Sequence, residues 1–67
     1  MKTMRNVTIG DKFKNGKHII CEVVDFYEIR SVKTGQIVDY QCIAKGINTF
    51  STNSFEIAFA TVGRNRI

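Results

Sequence analysis

His18, Cys21 and Cys42 are the side chains through which this chain could do chemistry, joined by the carboxylates Glu22, Asp25 and Glu28. A zinc site would need the imidazole and thiolates to converge tetrahedrally. His18 and Cys21 lie three residues apart in a run of strand-forming residues, so they point to opposite faces of an extended chain. The gap to Cys42 matches no finger or ribbon spacing. Nucleophilic catalysis would need a base beside a thiol, yet both cysteines sit in apolar strands, where burial keeps a thiol protonated and inert. On one strand Glu22 and Glu28 share a face about 20 Å apart, too far for either spacing of a glycosidase carboxylate pair. The five glycines stand singly and form neither GxGxxG nor a P-loop. The expectation is therefore a protein that is not an enzyme, with no catalytic residue, no metal and no cofactor.

What remains is charge. The formal net charge of +4 is an end effect. Lys2, Arg5, Lys12, Lys14 and Lys17 face only Asp11 in the first part of the chain, Arg64 and Arg66 stand unopposed at its end, and the middle is slightly acidic. If the two ends meet, Lys12, Lys14, Lys17, Arg64 and Arg66 form one basic face that attracts a polyanion or an acidic protein. Tyr27, Tyr40 and Phe50 are the aromatic contacts such a face would use where they are exposed.

The elements that must position these residues read as strands. At 67 residues the chain has material for one domain, and its 43% hydrophobic and 24% charged residues suit a globular one. It lacks a stretch of the roughly 20 apolar residues a bilayer span requires and an apolar leader, so the expectation is a soluble, cytoplasmic protein. Val7, Ile9 and Phe13 suggest a short first strand, and Asn15-Gly16 a hairpin turn. The run from His18 to Arg30 is rich in β-branched and aromatic residues. It is long and has apolar groups on both faces, as in a strand that bends sharply and serves two layers of a small barrel. A turn at Thr34 and Gly35 leads to a strand from Gln36 to Lys45 with Val38, Tyr40, Cys42 and Ala44 facing inward. This register keeps Cys21 and Cys42 apart, predicting buried free thiols. A strand from Thr49, interrupted over residues 51–54, ends near Ile57. A 3₁₀-like turn over Ala58 to Val62 and a closing strand from Arg64 to Ile67 complete the pattern. The alternative is a short helix over residues 54–62, capped by Asn53 and ended by Gly63.

The segments ValThrIleGlyAspLysPhe at 7–13 and PheGluIleAlaPheAlaThrVal at 55–62, with the two hairpin loops and the closing ArgAsnArgIle, are arranged in an order that resembles the SH3-like small β-barrel. The chain also looks like the short, compact proteins of phages and prophages. The resemblance implies an all-β fold of about five strands with its first and last strands side by side. It implies little about function, and the absence of tryptophan argues against a Pro-rich ligand. The expectation is a small protein-binding module, an inhibitor or adaptor of phage type. The alternative is a nucleic-acid-binding barrel that places its basic face on phosphates. A homodimer through a free barrel edge or an exposed Phe59 is a third arrangement.

Overall fold

The computed structural model describes residues 2–51 and 53–67. Among these residues the elements succeed one another in the order β1 (Thr3–Met4), β2 (Val7–Thr8), β3 (Lys12–Lys14), β4 (Ile20–Arg30), β5 (Ile37–Gly46), β6 (Ser54–Ile57) and α1 (Phe59–Arg64). β1 and β2 form a two-stranded antiparallel sheet, and the other four form a second antiparallel sheet in the order β3-β4-β5-β6.

β4 explains why the sequence shows no clean polar face. Cys21 and Val23 alternate inward as a strand requires, but the next buried residue is Phe26, out of phase with them. The pairing with β5 slips between Val23 and Asp25. One extra residue in this bulge returns Phe26 to the core side and turns the strand. The expected bend is thus a bulge at Val24. Beyond it, β4 and β5 outrun the core. Val38, expected inside, is 64% exposed, and Val32 at the tip is fully exposed, which accounts for a molecule 41 Å long against 23 and 21 Å in its other dimensions. The hairpin turns as expected near Gly35, whose positive φ of 72° suits a residue without Cβ. Arg30 fastens the tip by donating to the Gly35 carbonyl and to Glu28.

The first hairpin has no turn signal in the sequence. Arg5 and Asn6 both take positive φ, 50° and 65°, which turns the chain between β1 and β2. By contrast, positive φ in the Asn15-Gly16 pair is confined to Gly16, so that connection is a wider loop closed by Asn15 N–H donating to the Ile19 carbonyl at 2.8 Å.

The core consists of Val7, Phe13, Cys21, Val23, Phe26, Cys42, Ala44, Phe59 and Val62, and Met4, Ile9, Tyr40, Phe55 and Ile57 pack against it. β6 ends at Ile57 as expected, while Thr52, inside the interrupted stretch, lies outside the described residues. After β6 the chain makes a true α-turn. The Ala58 carbonyl accepts from both Thr61 N–H and Val62 N–H, a 3₁₀ bond and an α bond sharing one acceptor. The helix then runs to Arg64, so Gly63 lies inside it and Asn53 caps nothing. Neither the lone 3₁₀ turn nor the helix over 54–62 is found, because pairing with β5 holds 54–57 extended and Phe59 and Val62 bury one helical face. Phe59, expected as an exposed dimer contact, is buried with its ring 5.6 Å from that of Phe26.

The closing strand shrinks to one bridge, Phe13 to Arg66, with Lys14 N–H donating to the Asn65 carbonyl and Ile67 N–H to that of Lys12. The chain ends do meet. The fold is all-β apart from α1, but among the described residues the sheet does not close into a barrel, because β6 pairs with β5 and with no other strand.

Both cysteines are free and buried. Cys21 stands across from Gly46 and Cys42 across from Phe26, several register steps away. Burial raises both thiol pKa values above the ordinary 9.0, against a smaller lowering by Asn15 at Cys21 and by the Arg5 charge at Cys42. A raised thiol pKa means the folded state holds its protons longer, so this contribution to stability is complete below the unfolded value and is lost as pH rises through the folded one. At mildly alkaline pH a disulfide dye is expected to label neither cysteine until denaturant is added. Rapid labelling of the native protein would contradict this packing.

Candidate binding surface

The structure divides the expected basic face. Lys12 pairs with Glu22 at 3.6 Å, and Arg66 pairs with Asp11 at 3.3 Å while donating to the Asn6 carbonyl. These two cations are held in place by the fold. Lys14, Lys17 and Arg64 are exposed and make no ion pair among the described residues. They collect at one end of the molecule. Lys14 ends β3 and Lys17 lies in the loop beyond it, while Arg64 precedes Asn65, whose carbonyl accepts from Lys14 N–H.

That end is built from two loops, 15–19 and 47–51, tied by one side chain. Asn48 accepts from Ile20 N–H at 2.9 Å through Oδ1 and donates to the His18 carbonyl at 2.8 Å through Nδ2. Both backbone groups would otherwise be unpaired at the start of β4. Ile47 N–H adds a bond to the Ile20 carbonyl. Gly46 lets Thr49 fold back against the backbone, since a Cβ there would collide with the Thr49 side chain. Between the loops lies an open cleft of about 530 Å³ lined by His18, Ile19, Ile47, Asn48, Thr49 and Phe50. Phe50 is fully exposed, and Ile19 and Ile47 are each 43% exposed. No aspartate or glutamate occurs between Asp11 and Glu22 or between Asp39 and Glu56, so both loops lack acidic residues. The cleft thus joins apolar side chains to loops that carry no carboxylate, and Lys17 lies in one of those loops.

The other aromatic candidates lie elsewhere. Tyr27 is half-buried on the face of the sheet away from the core and donates to Gln41 Oε1 at 2.9 Å. The nearby Glu56 carboxylate raises its phenol pKa, helped by burial. Tyr40 is half-buried against the core. Of the three, Phe50 alone is free to meet a partner. His18 lines the cleft wall, whereas Cys21 is buried. Among the described residues no three metal-ligating side chains gather, and no helix is long and apolar enough to cross a membrane.

Arg5 reaches the opposite side of the molecule. Its guanidinium lies 5.1 Å from the centre of the Phe59 ring and 3.2 Å from Asp39, joining the first hairpin to α1 and β5. Asp39 has its pKa lowered first by the Tyr40 N–H it accepts and then by Arg5. A carboxyl with a lowered folded pKa stabilises above its unfolded value and loses that contribution as pH falls through the folded one. Arg5→Ala is expected to lose a cation–π contact of about 0.5–1 kcal/mol, lowering Tm by several degrees at neutral pH. The gap between Asp39→Asn and the unaltered protein should close as the pH is taken below about 4. A constant gap down to acid pH would mean that the charge of Asp39 does not matter.

No family model matches the chain, and neither a curated protein nor a solved structure matches it.

The sequence alone does not single out His18, Ile19, Ile47 and Asn48 as surface residues. Isoleucines bordering polar loops at 16–18 and 48–51 are the available signal. That the loops meet comes from the β4–β5 register, which sets Cys21 across from Gly46.

Proposed function

We propose that this chain is a non-enzymatic protein-binding module that takes its partner at the loop end, with Phe50 as the anchor and Lys14, Lys17 and Arg64 as the charges that draw in an acidic surface. The observation that supports this reading is the pairing of a fully exposed phenylalanine with a cleft of isoleucines in a region without acidic residues. Aromatic side chains dominate interface energies when they enter a pocket on the partner. Such a module would act as an inhibitor or adaptor by occupying a surface of a larger protein.

The nucleic-acid reading is weaker here, because the fold ties up Lys12 and Arg66 and sets Tyr27 and Tyr40 away from the remaining cations. Capture from a bacterial lysate with and without nuclease, at low and at high salt, tests the choice. A defined protein retained at high salt is expected. Recovery of nucleic acid alone, lost steeply as salt rises, would replace this reading with phosphate binding.

A further inference from the structure

We propose that the open edge of β6 receives an extended acidic segment of the partner protein as an added strand. This rests on the protein-binding reading above and states how the partner engages. Ser54–Ile57 pairs with β5 on one side, and among the described residues none of its backbone groups hydrogen-bonds elsewhere. Exposed strand edges are commonly shielded by lysine, proline or a covering loop. This one carries neither lysine nor proline, and its one charge is Glu56.

A second cavity of about 160 Å³ opens beside the start of this strand, between the two loops, with Ile19, Cys21 and Phe55 as its apolar lining and Asn15, Ser51 and Asn53 among its polar residues. An added strand would present alternate side chains to the same side as Phe55, so one small apolar residue can enter this cavity. Main-chain bonds would supply affinity and the cavity selectivity, as in strand addition generally.

Charge fixes the segment's chemistry. Ser54 stands across from Lys45 and lies at the end of β6 nearest Lys14, Lys17 and the acid-free loops, whereas Glu56 marks its other half. Acidic residues of the segment therefore belong at the Ser54 end. A second copy of this chain fits less well, since its own β6 brings a single carboxylate, Glu56, on a chain of net charge +4. On the free edge of β5 beyond Cys42, Arg5 pairs with Asp39 at 3.2 Å.

Selection from a random short-peptide display library tests the proposal, combined with amide hydrogen exchange of the whole protein in the presence of the enriched peptide. Enrichment of alternating apolar residues flanked by Asp or Glu is expected, with slowed exchange at residues 54–57. A version N-methylated on alternate amides should bind about tenfold more weakly or worse, having lost main-chain donors. Enrichment of basic or proline-rich peptides, equal binding of the N-methylated version, or protection confined to other strands would overturn it. If a captured partner depends on Phe50 but leaves exchange at 54–57 unchanged, strand addition fails while the binding module stands. If the peptide binds at 54–57 and Phe50→Ala leaves capture of the partner intact, the Phe50-anchored reading fails instead.

Discussion

Phe13→Ala is expected to leave the protein largely unfolded at room temperature. Phe13 is completely buried at the centre of β3, opposite Cys21 on one side and bridged to Arg66 on the other. It therefore fills the joint between the main sheet and the returning C-terminus. Removing a buried phenylalanine ring costs about 3–5 kcal/mol. Stability scales at roughly 0.05–0.15 kcal/mol per residue, about 3–10 kcal/mol for a chain of this length, so the substitution removes a large share of it. Circular dichroism through a urea titration is the check. A cooperative transition with a midpoint near that of the unaltered protein would show that the C-terminal bridge and the β3 contacts are dispensable.

The second large effect is expected at Phe50. Phe50→Ala should weaken partner binding by roughly 30-fold or more, the loss associated with about 2 kcal/mol at an interface anchor. Tm should not change, because the ring touches solvent and contributes no core contact. Replacing Lys14, Lys17 and Arg64 together with glutamine should act differently. It should slow association and flatten the salt dependence while leaving dissociation nearly unaltered, as expected of charges that steer a partner rather than anchor it. Titration calorimetry and surface binding kinetics read these effects separately. Equal affinity for Phe50→Ala and the unaltered chain would show that Phe50 is not the anchor.

Much of the strand pattern is legible in the sequence because it depends on local residue types. The long β4 and β5, the turn at Gly35, the end of β6 at Ile57 and the two buried thiols all come from β-branched runs and single glycines. Features that depend on distant contacts are not legible in this way. The bulge at Val24 arises because Phe26 must reach the same core as Val23. The turn at Arg5-Asn6 is held by Arg5 reaching Asp39 and Phe59, and arginine is not a residue that announces a positive φ. The helix after Ile57 wins over a 3₁₀ turn once Phe59 and Val62 have a core to enter.

The candidate surface divides in the same way. The chain ends meet, as the order of strands implies. Lys12 and Arg66 belong structurally to Glu22 and Asp11, partners 10 and 55 positions away in the chain. Such separations carry no sequence signal. Lys14, Lys17 and Arg64 make no ion pair among the described residues, and the loops 15–19 and 47–51 contain no aspartate or glutamate. Phe50 stands out among the aromatics for a similar reason, since its loop is polar on both sides and gives the ring nothing to pack against.

The most direct test of the loop end as the binding surface compares three baits in one capture experiment from nuclease-treated bacterial lysate: the unaltered protein, Phe50→Ala, and a hairpin-tip variant carrying Val32→Ser and Val38→Ser. The tip variant removes exposed apolar groups at the far end of the molecule and controls for nonspecific stickiness. One defined protein is expected on the unaltered and tip-variant baits, with its loss from Phe50→Ala. Retention on Phe50→Ala with loss from the tip variant would place the binding surface on the projecting hairpin and contradict a Phe50-anchored module.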